Sequence, residues 1–201
     1  MSVTQSEGIL GLARTQALVS AADVRERGWS PQLLIKLHRN GKLERVARGL
    51  YALPGAEPTN YRSLAEVCRR VSKGVVCLLS ALQFHEIGTQ LPHEVWLGVP
   101  EGTQTPAIDC PPLRIVRLRG DAYDDGIETF IEAGSAIRVY SLEKTVADCF
   151  KFRNKIGLDV ALEALKDARN QRKLVVDRLI RFARIDRVEK VLQPYLETVV
   201  A

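Results

Sequence analysis

Within the first 55 residues the apolar pattern changes period once, at Gly41, and no other feature limits the fold of the chain as tightly. Up to Gly41, apolar side chains recur at the spacing of short amphipathic helices; beyond it they sit in two short runs on either side of a glycine turn. Ser6 to Arg14 carries Ile9, Leu10, Leu12 and Ala13 and is expected to be helical. Leu18 and Val19 follow. Ser20 with Asp23 reads as an acidic capping box that opens a second helix, and Gly28 suits the left-handed position just past its end. Ser30 is a good N-cap, and Pro31 fits the first helical position of a third helix. Trp29 and Leu34 are spaced for a hydrophobic staple across its start, and Gly41 closes it.

The third helix has two unlike sides. Leu33, Leu34 and Leu37 gather on one, while Gln32, Lys36 and Arg39 gather on the other at i, i+4 and i+7. Docked by its leucines, such a helix presents amide and cationic side chains outward. Arg and Lys suit guanine O6/N7, and Gln suits adenine. After Gly41, Leu43 to Val46 and Leu50 to Leu53 are strand candidates around Ala47-Arg48-Gly49, and Pro54-Gly55 ends the second. Three short helices and then a hairpin is the order of a winged helix-turn-helix. Lys42, Arg45 and Arg48 then lie at the wing, placed for phosphate or minor groove. The competing reading is a solvated cationic face on a protein-docking module of the same geometry.

Charge supports the first reading. The chain has 201 residues and a formal charge of +5, from 29 Lys+Arg against 24 Asp+Glu. Residues 1–55 hold eight cations and four anions, leaving 21 against 20 for the rest. Between residues 30 and 50 five cations face one anion, Glu44. An excess concentrated in one segment points to a nucleic-acid partner.

Several classes are excluded or disfavoured. No run approaches the roughly eighteen apolar residues of a membrane span. The N-terminus lacks the cationic start, apolar stretch and small-residue cleavage site of an export signal, so a cytoplasmic protein is expected. Cys68, Cys77, Cys110 and Cys149 form no CxxC pair and read as reduced, mostly buried thiols. His38, His85 and His93 make no metal-ligand spacing, and no metal or other cofactor is expected. No repeat of about 20–50 residues marks a solenoid.

Residues 56–201 read as a larger α+β domain. Ala56–Tyr61, with two prolines, looks like a linker, and a helix is expected from about Tyr61 to Val71. An apolar run, Val75–Leu79, leads to Ser80, which is placed to cap a short helix through Glu86. Glu94–Val99, Leu113–Leu118, Ile127–Ile131 and Ala136–Tyr140 read as strands. Ser141 caps a helix that Gly157 breaks, and helices follow from Leu158, over Leu174–Phe182 and over Val188–Leu196.

This larger domain shows little chemistry. Ser80 is not in GxSxG, and no glycine-rich phosphate loop occurs. Asp121, Asp124, Asp125 and Glu128 precede Glu143-Lys144, the residue types of a metal-dependent nuclease. A solvated acidic turn is the simpler reading. Lys151, Arg153 and Lys155 sit near a helix C-terminus, either as dipole-compensating cations or as a partner- or phosphate-contact surface.

Three stretches resemble the AbiEi family, the antitoxins and transcriptional regulators of type IV, abortive-infection toxin–antitoxin systems. They are Gly41–Pro54 with its Arg48-Gly49-Leu50-Tyr51, then Val76–Thr89 followed by Pro92 and Trp96, and Tyr140–Ala161, the longest and most specific. The tail after about Arg169 matches nothing specific in the family. The resemblance implies an N-terminal winged helix that represses its own promoter through inverted repeats. It implies a C-terminal antitoxin domain that counteracts a nucleotidyltransferase-like toxin without a stable complex being required. It implies no catalytic residue, and by position it makes Gln32, Lys36, Arg39, Lys42, Arg45 and Arg48 the DNA-contacting set.

The expectation is therefore a non-enzymatic antitoxin and autorepressor, with residues 1–55 binding DNA and 56–201 carrying antitoxin activity. No membrane is involved. In the absence of a coiled coil, a monomer in solution meets a second copy on operator DNA. The alternatives are a stand-alone regulator without a toxin, an interaction module that silences a toxin by contact, and a nuclease using residues 121–128.

Overall fold

The computed structural model describes residues 4–16, 18–47, 49–55, 61–108, 111–132 and 135–200. It contains helices and two sheets and divides into two compact units, residues 1–70 with 131–137, and residues 71–130 with 138–201. The expected linker, apart from Tyr61, lies outside the described residues.

The first unit runs α1 (Gln5–Thr15), β1 (Val19–Ser20), α2 (Ala21–Glu26), α3 (Gln32–Arg39), β2 (Glu44–Ala47), β3 (Leu50–Ala52) and α4 (Arg62–Arg70). The helix ends are set by local chemistry. Thr4 and Glu7 make a capping box at α1, and Ser20 and Asp23 make the expected one at α2. Both α2 and α3 end in Schellman motifs with Gly28 and Gly41 in left-handed conformation at φ 71° and 66°. In the first, Trp29 N–H donates to Val24 O and Gly28 N–H to Arg25 O; in the second, Lys42 N–H donates to Leu37 O and Gly41 N–H to His38 O.

The start of α3 differs from expectation. Pro31 is helical (φ −62°), but no side chain caps the helix. Its first turn closes instead through Leu33 N–H to Ser30 O and Leu34 N–H to Pro31 O, both 3.1 Å, tight i to i+3 bonds that leave the Ser30 hydroxyl no cap to make.

Strands β2 and β3 pair antiparallel with a bulge between Arg45 and Ala47, and β1 adds to the far side of β3, giving the order β1-β3-β2. The two-residue β1 lies outside the two expected hairpin strands; its partners Tyr51 and Leu50 arrive some thirty positions later in the chain. The core of this unit joins Ile9, Leu12, Val19, Val24, Leu34, Leu37, Leu43 and Tyr51, with Trp29 and Leu33 half-buried against it. Gly8 is where the Trp29 ring approaches α1: a Cβ there would lie 2.7 Å from the ring edge.

Helix α4 clusters with this unit. Arg69 explains how: its guanidinium donates to Leu18 O at 2.7 Å, to Ser20 Oγ at 3.4 Å, and to Asp23 in an ion pair. One side chain thus holds β1 and the cap of α2.

The second unit contains β4 (Val75–Val76), α5 (Leu78–Phe84), β5 (Val95–Pro100), β6 (Leu113–Leu118), α6 (Asp121–Asp124), β7 (Ile127–Glu132), β8 (Ser135–Tyr140), α7 (Leu142–Lys151), α8 (Arg153–Ile156), α9 (Leu158–Asn170), α10 (Val176–Ile185) and α11 (Glu189–Val200). The facing ends of β7 and β8 count with the first unit. The sheet order is β6-β5-β4-β8-β7, with β5 parallel to β6, β4 antiparallel to β5, and β4 parallel to β8. Each of the four expected strands is present, and β4 adds a fifth from the apolar run.

Ser80 is not a cap. It lies inside α5, behind Cys77 at the N-cap, where its hydroxyl accepts from Trp96 N–H at 3.0 Å and ties the helix to β5. Helix α7 is buried along its length and packs against α5, α9 and α10. Ser141 caps it as expected.

Arg69→Ala is expected to destabilise the protein by about 1–3 kcal/mol, because it removes the donor to the Leu18 carbonyl and the counter-charge of Asp23 together. Urea denaturation measures this, and Arg69→Lys should recover only part of the loss, since one ammonium cannot span both acceptors in the same fork.

Candidate nucleic-acid interface

Helix α3 is positioned by burial of Leu34 (1% exposed) and Leu37 (4%), which leaves Gln32, Lys36 and Arg39 on its solvent side. The face predicted from spacing is the face observed. Its outer surface also carries Ile35, 48% exposed, which the leucine pattern did not single out. Ile35 follows Gln32 by three positions and precedes Arg39 by four, a relation visible in the sequence once the buried side is known.

Lys42 and Arg45 are exposed next to α3, at the turn into β2 and on β2 itself. His38 sets this join: its Nδ1 lies 3.1 Å from Leu43 O, and its ring meets Tyr51 edge-on at 6.0 Å. Arg48 lies outside the described residues.

Among the described residues, Lys36, Arg39, Lys42 and Arg45 enter no ion pair within 4.0 Å. Arginines of the second unit contrast with them. Arg181 holds Asp125 at 2.7 Å, Arg184 holds Glu189 at 2.9 Å, and Arg178 lies 3.4 Å from Glu128 and 3.6 Å from Glu143. The α3 cations thus face solvent without a carboxylate within ion-pairing distance among the described residues.

Residues 9–54 match a family model described as transcriptional regulator, AbiEi antitoxin. The match begins in α1 and ends just past β3, so it covers the helices and strands that carry the cationic strip. It supports a regulator or antitoxin role. In fold, the chain is similar to the crystal structure of the RV2827C protein from Mycobacterium tuberculosis, with a TM-score of 0.59 at 16% identity, over 98% of this chain and 82% of that one. No curated protein matched the sequence.

Outside the matched segment, the other candidate residues are engaged within the fold. Lys151 Nζ is engaged by buried Asp186 at 2.8 Å, and Arg153 donates to Phe150 O at 2.8 Å, while Lys155 lies over the Phe152 ring at 5.5 Å. Lys151 thus works first as a counter-ion to Asp186. Of the acidic residues, Glu128 and Glu143 meet at Arg178 of α10, Asp125 is held by Arg181, and Glu143 also accepts from Val175 N–H at 3.3 Å. Among the described residues no group of three or more His, Cys, Asp or Glu is arranged to hold a metal ion, and no helix is long and apolar enough to cross a membrane.

Lys144, a nuclease candidate by residue type, is fully buried in α7. Its ammonium sits 2.5 Å from Asp148 and 3.4 Å from Asp186. Burial opposes its charge, but the two carboxylates outweigh burial and hold the lysine protonated, above its ordinary value. Burial pushes the Asp148 carboxyl up to about 8 in spite of Lys144, and Asp186 adds to the rise. Its Oδ2 is buried without a hydrogen-bond partner. Sequence spacing placed Lys144 and Asp148 one turn apart, but Asp186 lies 42 positions from Lys144 and gave no local signal. Cys77 and Cys149 are buried, and burial raises both thiols, as expected for unreactive cysteines.

A carboxyl whose value is raised on folding binds its proton more tightly in the native state. Its contribution is therefore present at low pH and is lost as pH rises from the ordinary carboxylate range through about 8. Thermal melting of the protein should fall between pH 6 and 8.5, and Asp148→Asn should flatten that slope. An unchanged slope in the variant would assign the pH dependence to other groups.

Proposed function

We propose that the protein is a DNA-binding antitoxin that represses its own promoter and acts without catalysis. The observation that carries this reading is the unpaired cationic and amide face of α3, held outward by Leu34 and Leu37 within a segment matching the AbiEi regulators. In this reading the helix–strand–helix–helix–strand–strand order is a winged helix-turn-helix. Helix α3 enters the major groove with Gln32, Lys36 and Arg39 at base edges and phosphates. Lys42, Arg45 and Arg48 of the wing lie along the backbone.

Inverted repeats in the promoter bring two copies together on DNA, each a monomer in solution. The C-terminal domain, residues 56–201, counteracts a nucleotidyltransferase-like toxin. The paired arginines of α10 and the closed Lys144 cluster support a structural rather than a catalytic role for the second unit.

Affinity for a promoter duplex should fall steeply with salt, by a factor of about 10³ or more between 50 and 200 mM if the two copies neutralise six or more phosphates. Replacing Lys36, Arg39 and Lys42 together with Ala should abolish the gel shift and leave the circular dichroism spectrum unchanged, because all three are exposed. Full binding by this variant would refute the assigned face. Co-expression with a nucleotidyltransferase-like toxin encoded beside the gene should restore growth. Failure to do so, with operator binding intact, would leave a regulator without an antitoxin role.

A further inference from the structure

The recognition face proposed above contains one residue that phosphate binding does not explain. Ile35 is 48% exposed, while the leucines on the other side of the same helix, Leu34 and Leu37, are 1% and 4% exposed. It is not a spare core residue, because the leucine stripe already fills the core side of α3. Helix propensity does not account for it either, since a β-branched residue is among the weaker helix formers at an exposed position.

Its neighbours define its setting. Gln32 stands one turn before it, Lys36 beside it, and the exposed His38 and Arg39 one turn after it, so a single aliphatic group sits among an amide, an imidazole and two cations. Isolated exposed apolar residues are common on protein surfaces. What separates Ile35 is its place in the first half of α3, among outward cations that enter no ion pair with the described residues.

A duplex offers few apolar partners to such a residue. Phosphates and sugars take the cations. Along the base edges of the major groove, the thymine C5-methyl is the apolar group, next to the N6/N7 edge of adenine that suits Gln. N-terminal residues of a recognition helix reach deepest into the groove. Gln32 and Ile35 are one turn apart in that part of α3, and the branched side chain holds a single preferred rotamer there.

We infer that Ile35 reads a thymine methyl in the operator, so that recognition by α3 includes a nonpolar, methyl-specific contact at an A·T pair. The inference rests on the DNA-binding reading and adds a sequence preference to it.

The test isolates the methyl. The full chain is used to select duplexes from a random-sequence pool, and each thymine of the selected site is then replaced singly by deoxyuridine, which removes the methyl and nothing else. The wild-type protein should lose about fourfold in affinity at one thymine per half-site, the value of one carbon withdrawn from water. Ile35→Ala should bind the thymine and uracil duplexes equally, and Ile35→Val should keep most of the discrimination. Ile35 is exposed, so both variants should melt like the parent.

The inference is overturned if uracil is neutral at every position for the wild type, if the selected half-sites hold no thymine, or if Ile35→Ala still discriminates. In those cases DNA binding itself stands. If no duplex is enriched, the DNA-binding reading falls, and this inference with it.

Discussion

Burial of Leu34 and Leu37 is the contact on which the N-terminal unit depends. A helix of eight residues is too short to hold itself in water, so its existence and its rotation about its axis are both set by the core it joins. That core takes contributions from α1, β1, α2, the chain after α3, and β3, through Ile9, Val19, Val24, Leu43 and Tyr51. With the leucines fixed, the outward direction of Gln32, Ile35, Lys36 and Arg39 follows from helical geometry alone. The Schellman end at Gly41 and the contact of His38 with Leu43 O then set the start of β2.

Charge on the α3 face is handled differently from charge around α7 and α10. Around α7 and α10, Arg178, Arg181 and Lys151 meet carboxylates, and Lys144 is taken wholly inside between Asp148 and Asp186. Removing an ammonium from water is costly, and only close counter-charges keep it protonated there. On α3 and β2, Lys36, Arg39, Lys42 and Arg45 stay in water and enter no ion pair with the described residues, where they cost little and remain free to exchange small counterions for a polyanion. The modest overall charge of +5 hides this division.

The readable part of the fold was that governed by residues a few positions apart. The Ser20–Asp23 capping box, the glycine ends of α2 and α3, the Ser141 cap and the bounds of β6 all follow from near neighbours. The candidate interface was readable for the same reason, because i, i+4 and i+7 spacing sorts Gln32, Lys36 and Arg39 from the leucines whatever they pack on. Ser30 and Ser80 show where this fails. Each is a preferred capping residue by type; at α3 the first turn closed on backbone carbonyls, and at α5 the hydroxyl was drawn to a strand that arrives 16 positions later.

What remained hidden depended on chain return. Arg69 reaches Asp23 across 46 residues, and Lys144 reaches Asp186 across 42. No local pattern distinguishes either cation from its solvated neighbours, because the partner is chosen by packing rather than by spacing. The exposure of Ile35 belongs to the same class. Composition and period determined that α3 would have a leucine side and a cationic side. Only the core decided which leucines are buried, Leu34 and Leu37 fully and Leu33 in part, and with that rotation fixed an isoleucine at their border is left in water.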